Sequence, residues 1–136
     1  MRASRFRAIQ VSDFYEIEPH AGLTEVMPCM LAKPLVLQQV ADNPFAFAME
    51  VDGKVVALAG ITDLGEVWAI LSATIRPSML RLTRYTQAML RIGGRPVKAH
   101  VQRADPAAVR WALLLGFRKV KIDPQFGLDT WIYQCE

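Results

Sequence analysis

The sequence predicts an α/β fold, in which a mixed β-sheet of about seven strands carries helices on both faces. Three observations lead to this prediction. Asp52-Gly53 separates two apolar runs, as in a tight hairpin. The nearly continuous apolar run from Val67 to Thr74 has the composition of a central strand that is covered on both faces. A strand at Val97 to Val101 is followed by a capped helix and then by another strand.

The first half of the chain is predicted to hold one strand, two helices and the hairpin. Its residues give a strand at 5–10, a helix that begins at Ser12-Asp13 and stops at Pro19, and a helix over 33–42 with Pro34 near its start. The segment from His20 to Met30 is ambiguous, because Pro28 interrupts it and Gly22 weakens it. The hairpin strands follow at 45–51 and 54–61, and Asp-Gly suits a type I′ turn.

The second half is predicted to alternate strands and helices before a closing strand pair. After the strand at 67–74 comes a helix over 78–92, which Gly93-Gly94 ends. Its apolar stripe comprises Met79, Leu82, Met89 and Leu90, with Tyr85 and Ala88 close by. Asp105 caps a helix that has Pro106 at its first position and ends at Gly116. The last strands are expected at 117–123 and 130–135.

Composition favours one domain over residues 1–136 in a reducing, cytoplasmic setting. The chain is 52% hydrophobic and 21% charged, and its net charge of +3 is too small to indicate nucleic-acid binding. Cys29 and Cys135 form neither a disulfide framework nor a metal-ligand pattern, so no metal is expected. No apolar run approaches the roughly 20 residues that span a bilayer.

The helix after the strand at 97–101 resembles the last motif of the GNAT acetyltransferases. Asp105, Ala108, Ala112 and Gly116-Phe117 stand at the family's spacing, and the order β-α-α-β-β-β-α-β-α-β-β is the family's order over essentially the whole chain. The resemblance implies that acetyl-CoA is held where the fourth and fifth strands separate, with its pyrophosphate at the start of the third helix. Carried onto this sequence, the cofactor-binding residues are Leu71, Ala73, Arg76, Ser78, Met79, Leu80 and Arg81.

The sequence departs from the family pattern at three places. No glycine occurs between Glu66 and Ile92, where the family has a glycine-containing phosphate loop. Ala112 stands where many members have the tyrosine that protonates the leaving thiolate, and Asp105 replaces the usual asparagine. No catalytic residue is therefore assigned. Glu66 and His100 are the candidate general bases, against the alternatives of a solvated turn acid and a structural strand histidine.

Other polar and aromatic residues have simpler interpretations. The arginines of the third helix region are expected to form a solvated face, with a phosphate or nucleic-acid contact as the alternative. The tryptophans are expected to be core or interface residues. These residues are Arg81, Arg84, Arg91 and Arg95, and Trp68, Trp111 and Trp131.

Within the superfamily, the sequence is similar to short phage-encoded GNAT-like proteins, a group that includes proteins named after an internal virion protein. The similarity lies in Gly65-Glu66-Val67-Trp68-Ala69, in the glycine-free loop and in the helix end from Arg110 to Phe117. Two hypotheses follow. The first is an N-acetyltransferase that moves acetyl from CoA to an amine on a small molecule or protein. The second is a non-catalytic virion or host-interaction protein that acts through protein contacts, in which Met79, Leu80 or Arg81 fills the cofactor cleft.

Overall fold

A computed structural model describes residues 4–18, 32–94, 96–103, 105–121 and 128–133. Its strands are β1 (Ser4–Arg7), β2 (Phe47–Val51), β3 (Lys54–Ile61), β4 (Glu66–Leu71), β5 (Val97–Gln102), β6 (Arg118–Lys121) and β7 (Leu128–Tyr133). Its helices are α1 (Val11–Glu16), α2 (Pro34–Asp42), α3 (Met79–Gly93) and α4 (Pro106–Leu115), and a 3-10 turn (Arg76–Ser78) precedes α3.

The seven strands form one mixed sheet in the order β1-β2-β3-β4-β5-β7-β6. Neighbouring strands are antiparallel except for β4 and β5, which run parallel. The predicted fold class and element order are confirmed, and β4 is the central strand that its apolar run predicted.

The helices lie on both faces because successive strand residues point to opposite sides. On one face, Phe14 of α1 and Leu37 of α2 pack against Leu58 and Ile70. On the other face, Leu82 of α3 packs against residues of β2 and β3. There α3 and α4 also cover Val97, Val101 and Trp131 of the C-terminal strands. The functional site has to be sought where these layers meet β4 and β5.

The turn and cap predictions hold closely. Asp52 and Gly53 both have positive φ, 52° and 79°, as a type I′ turn requires. The Asp105 side chain accepts a hydrogen bond from the Ala108 backbone N–H at 3.2 Å, and Gly116 has φ 97° after the last turn of α4. Gly94 ends α3 in the left-handed region. Local chemistry therefore fixes both ends of α4 and the C-terminal end of α3.

Several predicted bounds were wrong. β4 ends at Leu71 and not at Thr74, because the Ser72 hydroxyl accepts the Thr74 N–H and turns the chain. The N-cap of α1 is Gln10, and Asp13 occupies the third helical position of a capping box instead of the cap. Helix α1 ends at Glu16, before Pro19.

Three further predictions from the sequence pattern also differ from the structure. β1 ends at Arg7, whereas the strand was expected to reach Gln10. β6 lies within the predicted range 117–123 but is shorter, and β7 begins two residues before the predicted start at 130. Ala88 is exposed, and the buried stripe of α3 includes Thr83 and Thr86 instead. The ambiguous segment from His20 to Met30 lies outside the described residues, as do Cys29 and Cys135.

An ion-pair network fixes α1 to the sheet. Arg7 donates two hydrogen bonds to the buried Asp13 carboxylate, both 2.8 Å long, and one of 2.7 Å to Glu50 on β2. Burial raises the pKa of the Asp13 carboxyl, but the bonds from Arg7 and from the Gln10 N–H hold it below its ordinary value. The carboxylate is thus charged and paired inside the fold.

Candidate functional site

The parallel strands β4 and β5 separate soon after they meet. Their pairing is confined to Glu66 with Lys98 and Val67 with Ala99. A further bond joins the Lys98 N–H to the Gly65 carbonyl at 2.9 Å. Beyond Val67 the two strands share no registered pair in the described residues, so their C-terminal ends form the two arms of a V. Such a V at the carboxyl ends of strands is a common place for a ligand.

On the side of α3 and α4, a side-chain hydrogen bond joins the two helices. The indole N–H of Trp111, on α4, donates to the Thr83 hydroxyl of α3 at 2.9 Å. Trp111, Val67 and Met89 are among the residues that surround a void of about 10 Å³. That volume is at the lower limit for a single water molecule.

The loop between β4 and α3 has little free donor capacity. A helix start binds phosphate through backbone N–H groups that have no partner of their own. Six backbone N–H groups of the segment from Ser72 to Met79 already bond within the chain. Ser72 donates to the Val56 carbonyl (2.8 Å) and Ala73 to the Glu18 carbonyl (3.0 Å). Within the loop, the Thr74 N–H donates to the Ser72 hydroxyl (3.1 Å), that of Ile75 to the Ser72 carbonyl (3.1 Å), that of Ser78 to the Ile75 carbonyl (2.8 Å) and that of Met79 to the Arg76 carbonyl.

The seven predicted cofactor residues follow one another along this loop but do not converge on one point. Leu71 and Ser78 are half-buried, while Ala73 and Arg76 are exposed. Met79 packs against the core beneath α3. Leu80 is 65% exposed, and Arg81 reaches away to hydrogen-bond the Ser4 hydroxyl of β1. Their role in cofactor binding stays a prediction.

Of the three residues expected to fill the cleft, Met79 packs inward beneath α3, and which side chain occupies the cleft stays a prediction. Leu80 and Arg81 point outward, and Trp111 is the large side chain between the helices. The Ser78 N–H donates to the Ile75 carbonyl at 2.8 Å and is not available to a ligand.

The two candidate bases lie together on the other side of the V. Glu66 Oε1 is 3.8 Å from His100 Nε2 and 3.9 Å from Lys98 Nζ. All three side chains point to the face that carries α1 and α2, and each is between a third and a half exposed. A carboxylate beside an imidazole can accept a proton from an amine directly or through one water. The strand alternation that places Glu66 and His100 on one face is the only sequence signal of this contact.

Two contacts on the cofactor side of the V were not predicted from the sequence. The first is the Thr83–Trp111 bond, and its signal was a threonine inside an otherwise apolar helix stripe, which needs a partner when buried. The second is the bond from Ala73 N–H to the Glu18 carbonyl. It joins backbone atoms of residues that are 55 positions apart in the sequence, and no side-chain pattern indicates it.

The described ranges contain neither a metal-ligand cluster nor a helix that could cross a membrane. No group of three or more His, Cys, Asp or Glu side chains is arranged to hold a metal ion there. None of the helices described combines the length and apolarity needed to cross a bilayer.

The fold itself is familiar from solved structures. PH1933 from Pyrococcus horikoshii matches with a TM-score of 0.74 at 11% identity, over 98% of this chain and 99% of its own. The ribosomal-protein-S18-alanine N-acetyltransferase from Escherichia coli matches at 0.63 and 15% identity, over 96% and 91%. PaiA N-acetyltransferase from Thermoplasma acidophilum, solved in complex with coenzyme A, matches at 0.63 and 12%, over 97% and 99%. This chain has the GNAT acetyltransferase fold. No family model and no curated protein matches the sequence.

Within the GNAT fold, the V and the loop before α3 are the places where coenzyme A would be held. The residues present do not fit it well. Six N–H groups between Ser72 and Met79 are engaged, Pro77 has none, and the Trp111–Thr83 bond joins α3 to α4. Ala112, at the position of the family's tyrosine, is buried and carries no proton to donate.

Proposed function

We propose that this chain is a GNAT-fold binding protein that acts through contacts with another protein and does not transfer acetyl groups. The observation that carries the proposal is the engaged donor set of the loop between β4 and α3, which leaves little for a pyrophosphate to bind. The phage and virion setting belongs to the same proposal and rests on the sequence resemblance alone.

The closed helix pair supports the same function. Trp111 would have to leave its bond with Thr83 before a pantetheine chain could pass between α3 and α4. Breaking that bond in a partly buried site costs about 1 kcal/mol, and moving the ring exposes apolar surface as well. Acetyl-CoA binding would therefore be weakened by this rearrangement in addition to the poor phosphate site.

The test is thermal unfolding with increasing acetyl-CoA or CoA up to millimolar concentration. A ligand that binds only the folded state stabilises it by about 2.7 kcal/mol at 100 times its Kd. That stabilisation raises the Tm by several degrees in a domain of this size. We expect no rise with either acetyl-CoA or CoA. Inorganic pyrophosphate serves as the control for unspecific anion effects, and a rise specific to CoA would overturn the proposal.

A second candidate function, acetyl transfer to an amine, is favoured by the Glu66–His100 contact. The pair lies under the V on the side opposite Trp111, where an amine could approach without displacing the helices. The test is release of free CoA thiol from acetyl-CoA in the presence of a panel of primary amines. Amine-dependent release that falls at least tenfold in Glu66→Gln, but not in Glu16→Gln on α1, would establish this function instead.

A further inference from the structure

Charge is distributed unevenly between the two helix layers. Helices α3 and α4 contain four arginines and no acidic residue. Helices α1 and α2, on the opposite face of the sheet, contain three acidic residues and no basic one. The molecule therefore has one basic helix layer, although its net charge is only +3. Such a one-signed surface attracts partners of the opposite charge and orients them as they approach.

Five exposed side chains lie on the outer surface of this helix layer. Leu80 and Arg84 lie one turn apart on α3, and Arg110, Leu113 and Leu114 lie on the outward side of α4. All five are exposed. The Gln87 side chain donates to the Leu114 carbonyl at 2.9 Å, which, together with the Trp111–Thr83 bond, holds the two helices side by side. We call these five residues the α3–α4 surface.

The α3–α4 surface mixes apolar and cationic groups. Leu80, Leu113 and Leu114 are 65%, 58% and 64% exposed. Among the residues the structure describes, neither Arg84 nor Arg110 forms an ion pair with a carboxylate. Every basic residue of the two helices is an arginine, although the chain has lysines on its strands and turns. Arginine is enriched and lysine depleted in protein–protein interfaces.

We propose that the α3–α4 surface binds an acidic amphipathic helix of a partner protein. Carboxylates of such a helix would pair with Arg84 and Arg110, and its apolar side chains would cover Leu80, Leu113 and Leu114. Nucleic acid satisfies only the charges and leaves the leucines exposed. This inference rests on the proposed function, since it names the surface and the chemistry of the protein partner.

The probe is a synthetic peptide of about 20 residues, long enough to be helical alone, with glutamates on one side and leucines on the other. Its binding to the full chain is measured by fluorescence anisotropy at two ionic strengths. Arg84→Glu combined with Arg110→Glu should weaken binding at least tenfold and reduce its salt dependence. Lys33→Glu combined with Lys54→Glu is the matched control, because it changes net charge equally at exposed sites elsewhere. Leu113→Gln should also weaken binding with little change in the Tm.

Each other outcome overturns the inference. Equal losses of peptide affinity in the two double variants would show that binding depends on net charge and not on the α3–α4 surface. No binding of the peptide, or equally tight binding of a DNA duplex or of phosphatidylserine vesicles, would also overturn it. The failure of the proposed function is distinguishable, because a CoA-specific rise in the Tm overturns that function whatever the peptide does.

Discussion

The indole N–H of Trp111 and the hydroxyl of Thr83 form a 2.9 Å hydrogen bond across the two helices that flank the V. The bond satisfies a threonine that is only 9% exposed on the apolar side of α3. The indole ring also borders a small void together with Val67, the β4 residue at which the described pairing with β5 ends. One contact therefore links α3 to α4 next to the start of the V.

Trp111→Phe should lower the free energy of unfolding by about 1 kcal/mol, because it removes the donor and keeps most of the ring. Trp111→Ala should lower it by about 3 kcal/mol, at the lower end for aromatic-to-alanine changes, since the ring is partly exposed. Urea unfolding measures both. Thr83→Val combined with Trp111→Phe completes a double-mutant cycle, and additive losses would contradict a direct bond.

Asp105→Ala should cost about 1 kcal/mol of stability, because it removes the side-chain acceptor for the Ala108 N–H at the start of α4. Asp105→Asn should be nearly neutral, since an amide oxygen caps as well as a carboxylate. The urea midpoints of the two variants are compared with that of the unmodified protein. Equal losses in both variants would show that the charge, and not the cap, matters.

The stability contributed by Asp13 should disappear in acid. Burial raises the pKa of this carboxyl, but hydrogen bonds from Arg7 and Gln10 bring it below its ordinary value. A group with a lowered folded pKa contributes stability above its unfolded pKa of about 3.9, and loses that contribution as the pH falls through the folded pKa. The stability difference between the native protein and Asp13→Asn should therefore narrow below about pH 4. A constant difference from pH 7 to 3 would contradict this.

Gly60→Ala should destabilise the protein by about 1–3 kcal/mol through overpacking. A Cβ at Gly60 would lie 3.0 Å from the Ala46 Cα and 3.0 Å from Trp68 Nε1. Gly93→Ala is the matched control, because a Cβ there meets nothing within 4 Å and the last residue of α3 favours alanine. Thermal unfolding should show a lower Tm for the first variant and an equal or higher one for the second.

The fold could be predicted from the sequence because its signals are local. Asp52-Gly53 defined a turn, and Asp105-Pro106 with Gly116 defined both ends of α4 through backbone conformation and capping. Those signals need only neighbouring residues, and they appear in the structure where they were expected. The end of β4 was predicted three residues too late. The Ser72 hydroxyl accepts the Thr74 N–H and turns the chain, although the apolar pattern of the strand continues past Leu71.

The candidate site was less predictable because its contacts join distant positions. Nothing in the sequence near Ala73 indicates that the Glu18 carbonyl takes its N–H. Trp111 was expected to be a core or interface aromatic, but its bond to Thr83 depends on how two helices pack. Glu66 and His100 were each predicted as a candidate base, but their 3.8 Å separation on a common face required the structure.

The short pairing of β4 with β5 has a consequence for how such a sheet varies between proteins. The strands before this seam and those after it are each hydrogen-bonded among themselves, and only two registered pairs join them. The angle between the two halves is thus set chiefly by side chains, and it can change without loss of a strand register. Substitutions in the helix layer are enough to make the opening between the halves wider or narrower. In this chain, the bond between Trp111 and Thr83 ties together the two helices of that layer.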